Sequence, residues 1–469
     1  MADVIAAPAL GSREEKIAFY KRTMKITLPI AVQNFMDAAV GSADVLMLSF
    51  VGQTAMAASS LAGQFMFVLQ MLLFGMSSGA TVLAAQYWGK KDIRTVERVM
   101  GLAVRFSVVI SLLFSIAAAF FPRAVMRIFT DNEELIRDGI SYLRALSPAY
   151  VFGGFATIYL CIMRTVERVK ISAAIHCGAV VMNVVLNACF IFGFGPFPEL
   201  GITGVALATS ITRAVEVIVC LIDSRLNPVI RLRFKDIVSR AGILMKDYIS
   251  YSVPSAANDI VWGLAYSVYS IIFGHLSSDI VAANSVATVV RNLSMVVCFG
   301  VSSAAAIVIG KAMGDNRLKE AMVYGARFVR LSLWTALVGG GLILLLRPFI
   351  LQFMHLYVTV TDTVRSHLST MLFINSYYVI GASVNTMVIC GVFRAGGDVR
   401  FGLVCDLVAM WVYAVPVGLI CAFVLKLPEM WVYFILCLDE FVKMPANIIH
   451  YRKRTWCKNI TRDEVSRQQ

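Results

Sequence analysis

The chain has 469 residues, of which 59% are apolar and only 15% charged. Mean hydropathy is +0.76, and soluble domains average about a quarter charged residues, so this composition excludes a soluble globular protein. The net charge of +13 would suit a nucleic-acid partner, but its placement excludes one, because Lys and Arg gather in alternate loops between apolar segments.

In chain order, residues 1–26 come first. Ser12 to Lys16 and Lys21 to Lys25 are polar, and no short apolar core precedes a small-residue cleavage site, so the segment does not read as a cleaved signal. Ile17, Phe19 and Tyr20 lie between charges, which suits either a helix at the cytoplasmic membrane face or a solvated leader. Twelve apolar spans follow, at roughly 27–49, 54–83, 100–121, 138–160, 171–193, 202–223, 251–275, 281–309, 327–346, 367–390, 400–424 and 429–449. Basic clusters such as Lys90/Lys91/Arg94/Arg98, Arg164/Arg168/Lys170 and Arg452/Lys453/Arg454 fall on one side throughout. By the positive-inside rule both termini face the cytoplasm of a multi-pass inner-membrane protein. The basic stretch 225–250, with Pro228, is the longest connection and divides an N-lobe (27–224) from a C-lobe (251–450), leaving 451–469 as a basic tail.

The two lobes repeat. A shift of 225 residues lays Leu28-Pro29 on Val253-Pro254 and Ala57-Ala58-Ser59-Ser60 on Ala282-Ala283-Asn284-Ser285. It also lays Phe74-Gly75-Met76-Ser77-Ser78 on Phe299-Gly300-Val301-Ser302-Ser303. Biased composition gives scattered Ala matches, but not Pro, Gly and Ser-Ser aligned in one register. Each half has an even number of spans, so both enter the membrane the same way round. The expected architecture is all-α: two homologous six-helix bundles about a pseudo-two-fold along the membrane normal, with a central cleft between the lobes.

The ten cysteines are dispersed without a Cys-x-x-Cys pair and read as reduced, small apolar residues. The five histidines are isolated, with no metal-ligand spacing. Neither set suggests chemistry, and no cofactor is implied. Phosphate loops and His-Glu-x-x-His are absent from the sequence, and the Gly-x-Ser-x-Gly match at Gly75–Gly79 lies inside an apolar span and not at a strand-to-helix turn, which argues against an enzyme.

Several motifs, in order and spacing, resemble the multidrug and toxic compound extrusion (MATE) family. They are Leu28-Pro29 opening the first span with Asp44 fifteen residues on, Gly75-x-Ser-Ser-Gly79, Ala85-Gln-x-x-Gly89 and Asn183-x-x-x-Asn187. Gly201-x-x-Gly204-Val-Ala-Leu-Ala-Thr209 and Phe393-Arg-Ala-Gly-Gly-Asp398 complete the set. The resemblance covers nearly the whole chain. It implies a monomeric exporter in contact with membrane lipid, in which an organic, usually cationic, compound leaves as Na⁺ or H⁺ enters. NorM-type members often carry acids in spans seven and ten, whereas span ten here has none, so the N-lobe is the better place for coupling.

Intramembrane acids are costly and are therefore candidates for function. In the first span Gln33, Asp37, Gly41 and Asp44 form one polar stripe flanked by Asn34. Asp44 matches the acid on which coupling rests in DinF-like members, and the ladder Asn183/Asn187, with Thr209, is expected to face it. A carboxylate with Asn and Thr oxygens suits Na⁺, and a buried carboxylate influenced by a second acid suits H⁺. Pro29 and Gly41 weaken the helix so that it can bend. The competing reading is that Asp44 only hydrogen-bonds a neighbouring helix. In the C-lobe, Asn258, Asp259 and Trp262 of span seven and Asp406 of span eleven are candidates for substrate or a second ion, as are Gln33 and Asn34 in the N-lobe. Glu216 is expected to pair with Arg213, and Asp439/Glu440 with Lys443. The alternative function is a flippase for a lipid-linked saccharide, whose cleft would need basic residues. Only Arg213 and Arg291 lie well within the predicted spans.

Overall fold

A computed structural model describes residues 13–194, 197–239, 242–357, 361–463 and 465, with the side chains of 42–46, 49, 53 and 355–357 outside the description. Among the described residues every regular element is helical. In chain order these are α1 (Arg13–Val51), α2 (Gln53–Gly89), α3 (Ile93–Phe120), α4 (Pro122–Arg127), α5 (Glu133–Thr165), α6 (Val169–Phe192), α7 (Gly201–Leu226) and α8 (Phe234–Val238). Then come α9 (Gly242–Leu276), α10 (Ser278–Gly314), α11 (Leu318–Tyr357), α12 (Asp362–Thr386), α13 (Val399–Asp406), α14 (Val415–Leu419), α15 (Glu429–Leu436) and α16 (Asp439–Lys453). Helix starts follow local chemistry. Asp92, Asn132, Ser277 and Thr361 each accept a backbone N–H of the first turn of α3, α5, α10 and α12, satisfying donors that have no intrahelical partner. Gly193 ends α6 at φ 65°, a left-handed position that favours glycine.

Among the described residues, nine helical segments are long and apolar enough to cross a membrane, and they coincide with nine of the twelve predicted spans. The other three are not in that set for visible reasons. In α1 the apolar stretch includes residues 42–46 and 49, which lie outside the description, and Asn258 and Asp259 lower the hydropathy of α9. The last predicted span is divided into α15 and α16 by a break at Cys437-Leu438. Span eleven is continuous but wound partly as π-helix, at Leu407–Ala414 and Ile420–Val424.

Residues 13–26 are neither a separate surface helix nor a solvated leader. They continue into the first span as one helix, and Phe19 is buried between Tyr324 and Phe328 at ring distances of 5.1 and 5.2 Å. Between Arg13 and Leu28 there is no Gly or Pro to interrupt the helix.

The chain divides into two compact units. One comprises Val32–Ala256 with Thr461–Gln469, the other Met1–Ala31 with Ala257–Ile460. The division therefore falls inside α1 and inside α9, at Ala31 and Ala256, which are 225 positions apart. It does not fall in the connection 225–250, of which the described part from Arg231 to Ser239 is folded onto α3 of its own unit. Arg94 holds Asp236 of α8 through two hydrogen bonds of 2.7 and 2.6 Å, and Glu97 accepts the Arg231 N–H at 2.9 Å.

Within the first unit, α2 meets the start of α9 so closely that a Cβ on Gly75 would lie 2.2 Å from the Ala256 Cα. Within the other, a Cβ on Gly300 would lie 3.2 Å from the Ala31 nitrogen. Gly75 and Gly300 correspond under the 225-residue repeat, as do Ala31 and Ala256. The same contact is thus made twice, each time between a glycine of one half of the sequence and the leading helix of the other. The second unit buries an apolar core that includes Tyr269, Phe273, Met371, Tyr378, Met410 and Tyr433.

Candidate functional site

Three turns of sequence build the polar centre of the Val32–Ala256 unit. On α1, Gln33 and Asp37 are four residues apart, so they share a face. On α6 the same spacing aligns Ser172 with His176, and on α7 a spacing of three aligns Arg213 with Glu216. The Gln33 amide donates to Ser172 Oγ at 3.3 Å. One turn further on, His176 Nε2 lies 2.8 Å from Asp37 Oδ1, and Nδ1 lies 3.1 Å from Glu216 Oε1. Arg213 donates to the other Glu216 oxygen at 2.6 Å, forming the expected ion pair. Arg164 of α5 donates to Gln33 Oε1 at 3.2 Å.

The members differ in exposure. The Glu216 side chain is 0% exposed and that of His176 14%, whereas Asp37 is 54% exposed. Glu216 is held at two oxygens by α6 and α7. Asp37 reaches the cluster from α1 through its contact with His176 and is otherwise open.

Both rungs between α1 and α6 join residues 139 positions apart, and the same offset matches Asp44 with Asn183. The Asp44 backbone belongs to α1, but its side chain lies outside the described residues. Asn183 is buried and donates to Thr209 Oγ1 at 3.2 Å, while Asn187 donates to Asn183 Oδ1 at 3.3 Å. Thr209 also donates to the Val205 carbonyl of its own helix at 3.1 Å. The predicted Asn/Asn/Thr group is therefore assembled by α6 and α7. Asn34 is half-buried, α1 runs through Pro29, and a Cβ at Gly41 would meet nothing within 4 Å.

A second polar network lies within the other unit. After α12 the chain widens into π-helix at Met387–Phe393, then tightens at Arg394–Gly396 and turns at Gly397 with φ 79°. This irregularity delivers Arg394 into the protein, 3% exposed, where its guanidinium donates to Asn258 Oδ1 at 2.9 Å and Asp259 Oδ1 at 3.0 Å. Asn258 donates to Asp406 at 2.6 Å, and Lys443 Nζ donates to the other Asp406 oxygen at 2.8 Å. Lys443 also pairs with Glu440 at 2.9 Å. Asp439 instead accepts the Glu440 N–H at 2.7 Å. Trp262, also half-exposed, packs on Tyr266 at 4.4 Å. Arg291 lies over the rings of Tyr266 and Tyr378, at 5.1 and 5.5 Å.

Asn258, Asp259 and Asp406 are thus brought into one network, whereas Trp262 joins the aromatic group beside it. The network leaves Asp259 already neutralised by Arg394, an arginine that the sequence assigned to a loop. His176, read on sequence as an isolated histidine without chemistry, is the hinge of the other cluster. Its partners are remote in sequence and no local spacing announces them. The available signal was a titratable side chain inside an apolar span.

Comparison with known proteins follows the same outline. The MatE family model matches residues 29–189 and 254–420. The chain is 25% identical over 439 residues to "Probable multidrug resistance protein YoeA" of Bacillus subtilis (strain 168), covering 91% of this chain and 92% of that protein. It is 23% identical to "Probable multidrug resistance protein NorM" of Bradyrhizobium diazoefficiens, with 92% and 93% covered. Among solved structures, one of MATE in the straight conformation superposes with a TM-score of 0.84 at 17% identity, over 92% of this chain and 95% of that one. A MOP superfamily transporter from Pyrococcus furiosus gives 0.83 at 17% identity, with the same coverage.

Proposed function

The chain belongs to the MATE family of efflux transporters, and on that premise we propose that this multi-pass membrane protein is a secondary active antiporter, exporting organic, mostly cationic compounds by alternating access as Na⁺ or H⁺ enters. Both termini face the cytoplasm in this reading, in line with the one-sided distribution of Lys and Arg.

The observation that carries the proposal is the Asp37–His176–Glu216–Arg213 cluster. An acid in hydrocarbon is retained when it pairs or works. Asp37 is both paired and accessible, so its charge can be exchanged between a coupling ion and a cationic substrate. The Asn183/Asn187/Thr209 group supplies neutral oxygens in register with Asp44, a setting that suits either ion. The alternative of a lipid-linked saccharide flippase loses its basic lining. Arg213 is closed by Glu216, Arg394 by Asp259, and Arg291 packs on tyrosine rings.

The test is export of ethidium from proteoliposomes under a Na⁺ gradient and, separately, a pH gradient. One gradient is expected to drive export, and Asp44→Asn to abolish it. Export that survives Asp44→Asn would move coupling to other acids. If neither gradient moves ethidium, the antiport reading is wrong.

A further inference from the structure

The geometry points to His176 as a proton-carrying group of the transport cycle, loaded while it bridges Asp37 and Glu216 and unloaded when Asp37 lets go. This inference rests on the antiport reading and narrows its ion to H⁺ at a named side chain.

The argument is a count of protons. A neutral imidazole has one N–H donor and one acceptor nitrogen, and an ionised carboxylate only accepts. Both His176 nitrogens lie within hydrogen-bond reach of carboxylate oxygens, at 2.8 Å to Asp37 and 3.1 Å to Glu216. With a neutral ring and two carboxylates, one of these contacts would set a lone pair against a lone pair. The arrangement as built therefore holds one more proton than that, making the ring an imidazolium with two charge-assisted hydrogen bonds.

The charges agree with the geometry. Facing His176 are Asp37 from α1 and Glu216 with Arg213 from α7. Arg164 of α5 stands one step away, held by Gln33, and Cys177 follows on α6 itself. Asp37, Glu216 and Arg213 together carry one net negative charge, so a protonated His176 brings the four side chains to zero. Losing that proton to water restores an imidazole and a net charge of −1 inside an apolar span. The two contacts are unequal. Glu216 is fully buried and clamped by Arg213, whereas Asp37 is 54% exposed. Deprotonation releases the Asp37 contact first and leaves a carboxylate whose counter-charge has gone, which a cationic substrate can replace. Proton and substrate then compete for one negative charge, and each cycle exchanges one for the other.

The purified full chain in weakly buffered detergent solution tests this with tetraphenylphosphonium as the cation. The wild type is expected to release about one proton per cation bound, and its affinity to rise by up to about tenfold per pH unit while the site is still protonated. In His176→Gln, which keeps hydrogen-bonding capacity, proton release should vanish and the affinity become flat with pH. Asp37→Asn should lose affinity at every pH. Nitrogen-15 NMR of histidine-labelled protein, with His176 assigned by the variant, gives a readout that needs no substrate and should show an imidazolium at neutral pH. Unchanged proton release in His176→Gln, or a neutral ring in the wild type at pH 6, would overturn the inference. Export driven by Na⁺ alone in both wild type and His176→Gln would remove the histidine's role while leaving antiport standing. Loss of cation movement under every gradient would sink antiport itself.

Discussion

The two polar networks use similar acids and differ in what neutralises them. In the unit that includes Ala257–Ile460, Asp259 meets Arg394, and Asp406 and Glu440 meet Lys443. These partners are an arginine and a lysine, each held by carboxylates, and their side chains are only 4% exposed. In the unit containing α2 to α7, Glu216 meets one arginine, but Asp37 meets a histidine. Histidine is the side chain whose ordinary titration range spans neutral pH. One network is a fixed structural bond, and the other has a contact that a single proton can make or break.

The comparison can be broken most forcefully by removing a fixed cation. Lys443→Met strands Asp406 and Glu440, and Arg394→Met strands Asp259. Each is expected to cost about 3–5 kcal/mol, the usual penalty for leaving a buried charge uncompensated. Thermal unfolding in detergent checks this, and a loss no larger than that of an exposed substitution would mean the network is not structural.

A smaller effect sharpens the comparison at the duplicated glycine contact. Gly75→Ala should cost about 1–3 kcal/mol, as overpacking does, because the Cβ would press on Ala256 backbone at 2.2 Å. Gly300→Ala, with 3.2 Å to the Ala31 backbone, should cost clearly less. Equal losses would contradict the asymmetry. The smallest stability change belongs to Asp37→Asn, under about 1 kcal/mol for a contact half in solvent, although its effect on ethidium export should be near-complete. A variant that unfolds instead of merely losing transport would place Asp37 with the structural acids.

Much of this was legible in the sequence wherever the signal was local. Apolar runs located the spans, the 225-residue register revealed the repeat, and a spacing of three paired Arg213 with Glu216. Gln33 and Asp37 declared themselves as one stripe by a spacing of four. What escaped was assembled at long range. His176 meets residues 139 positions before it and 40 after it, and Arg394 meets an aspartate 135 positions before it. Composition sets residues 1–26 apart as a segment, because their charges mask a helix that runs from Arg13 into the first span with Phe19 on its buried side. The π-helical stretch before Arg394 also has no periodic signature, so an inward-facing arginine was read as part of a loop.

The division of α1 and α9 at Ala31 and Ala256 bears on the order in which a ribosome can finish the molecule. The unit built mainly from the first half of the sequence lacks part of its packing until α9 has begun to emerge, since Gly75 and Gly79 lie against Ala256 and Ser252. The other unit needs residues made at the very start, with Phe19 and Ala31 waiting for Phe328 and Gly300. Neither half-gene encodes a finished fold, and a chain cut within 225–241 would yield two fragments, each missing the helix start that the other carries. The first part of α1, up to Ala31, must therefore wait for its own unit through more than half of synthesis, while the part from Gln33 onward can already meet α6.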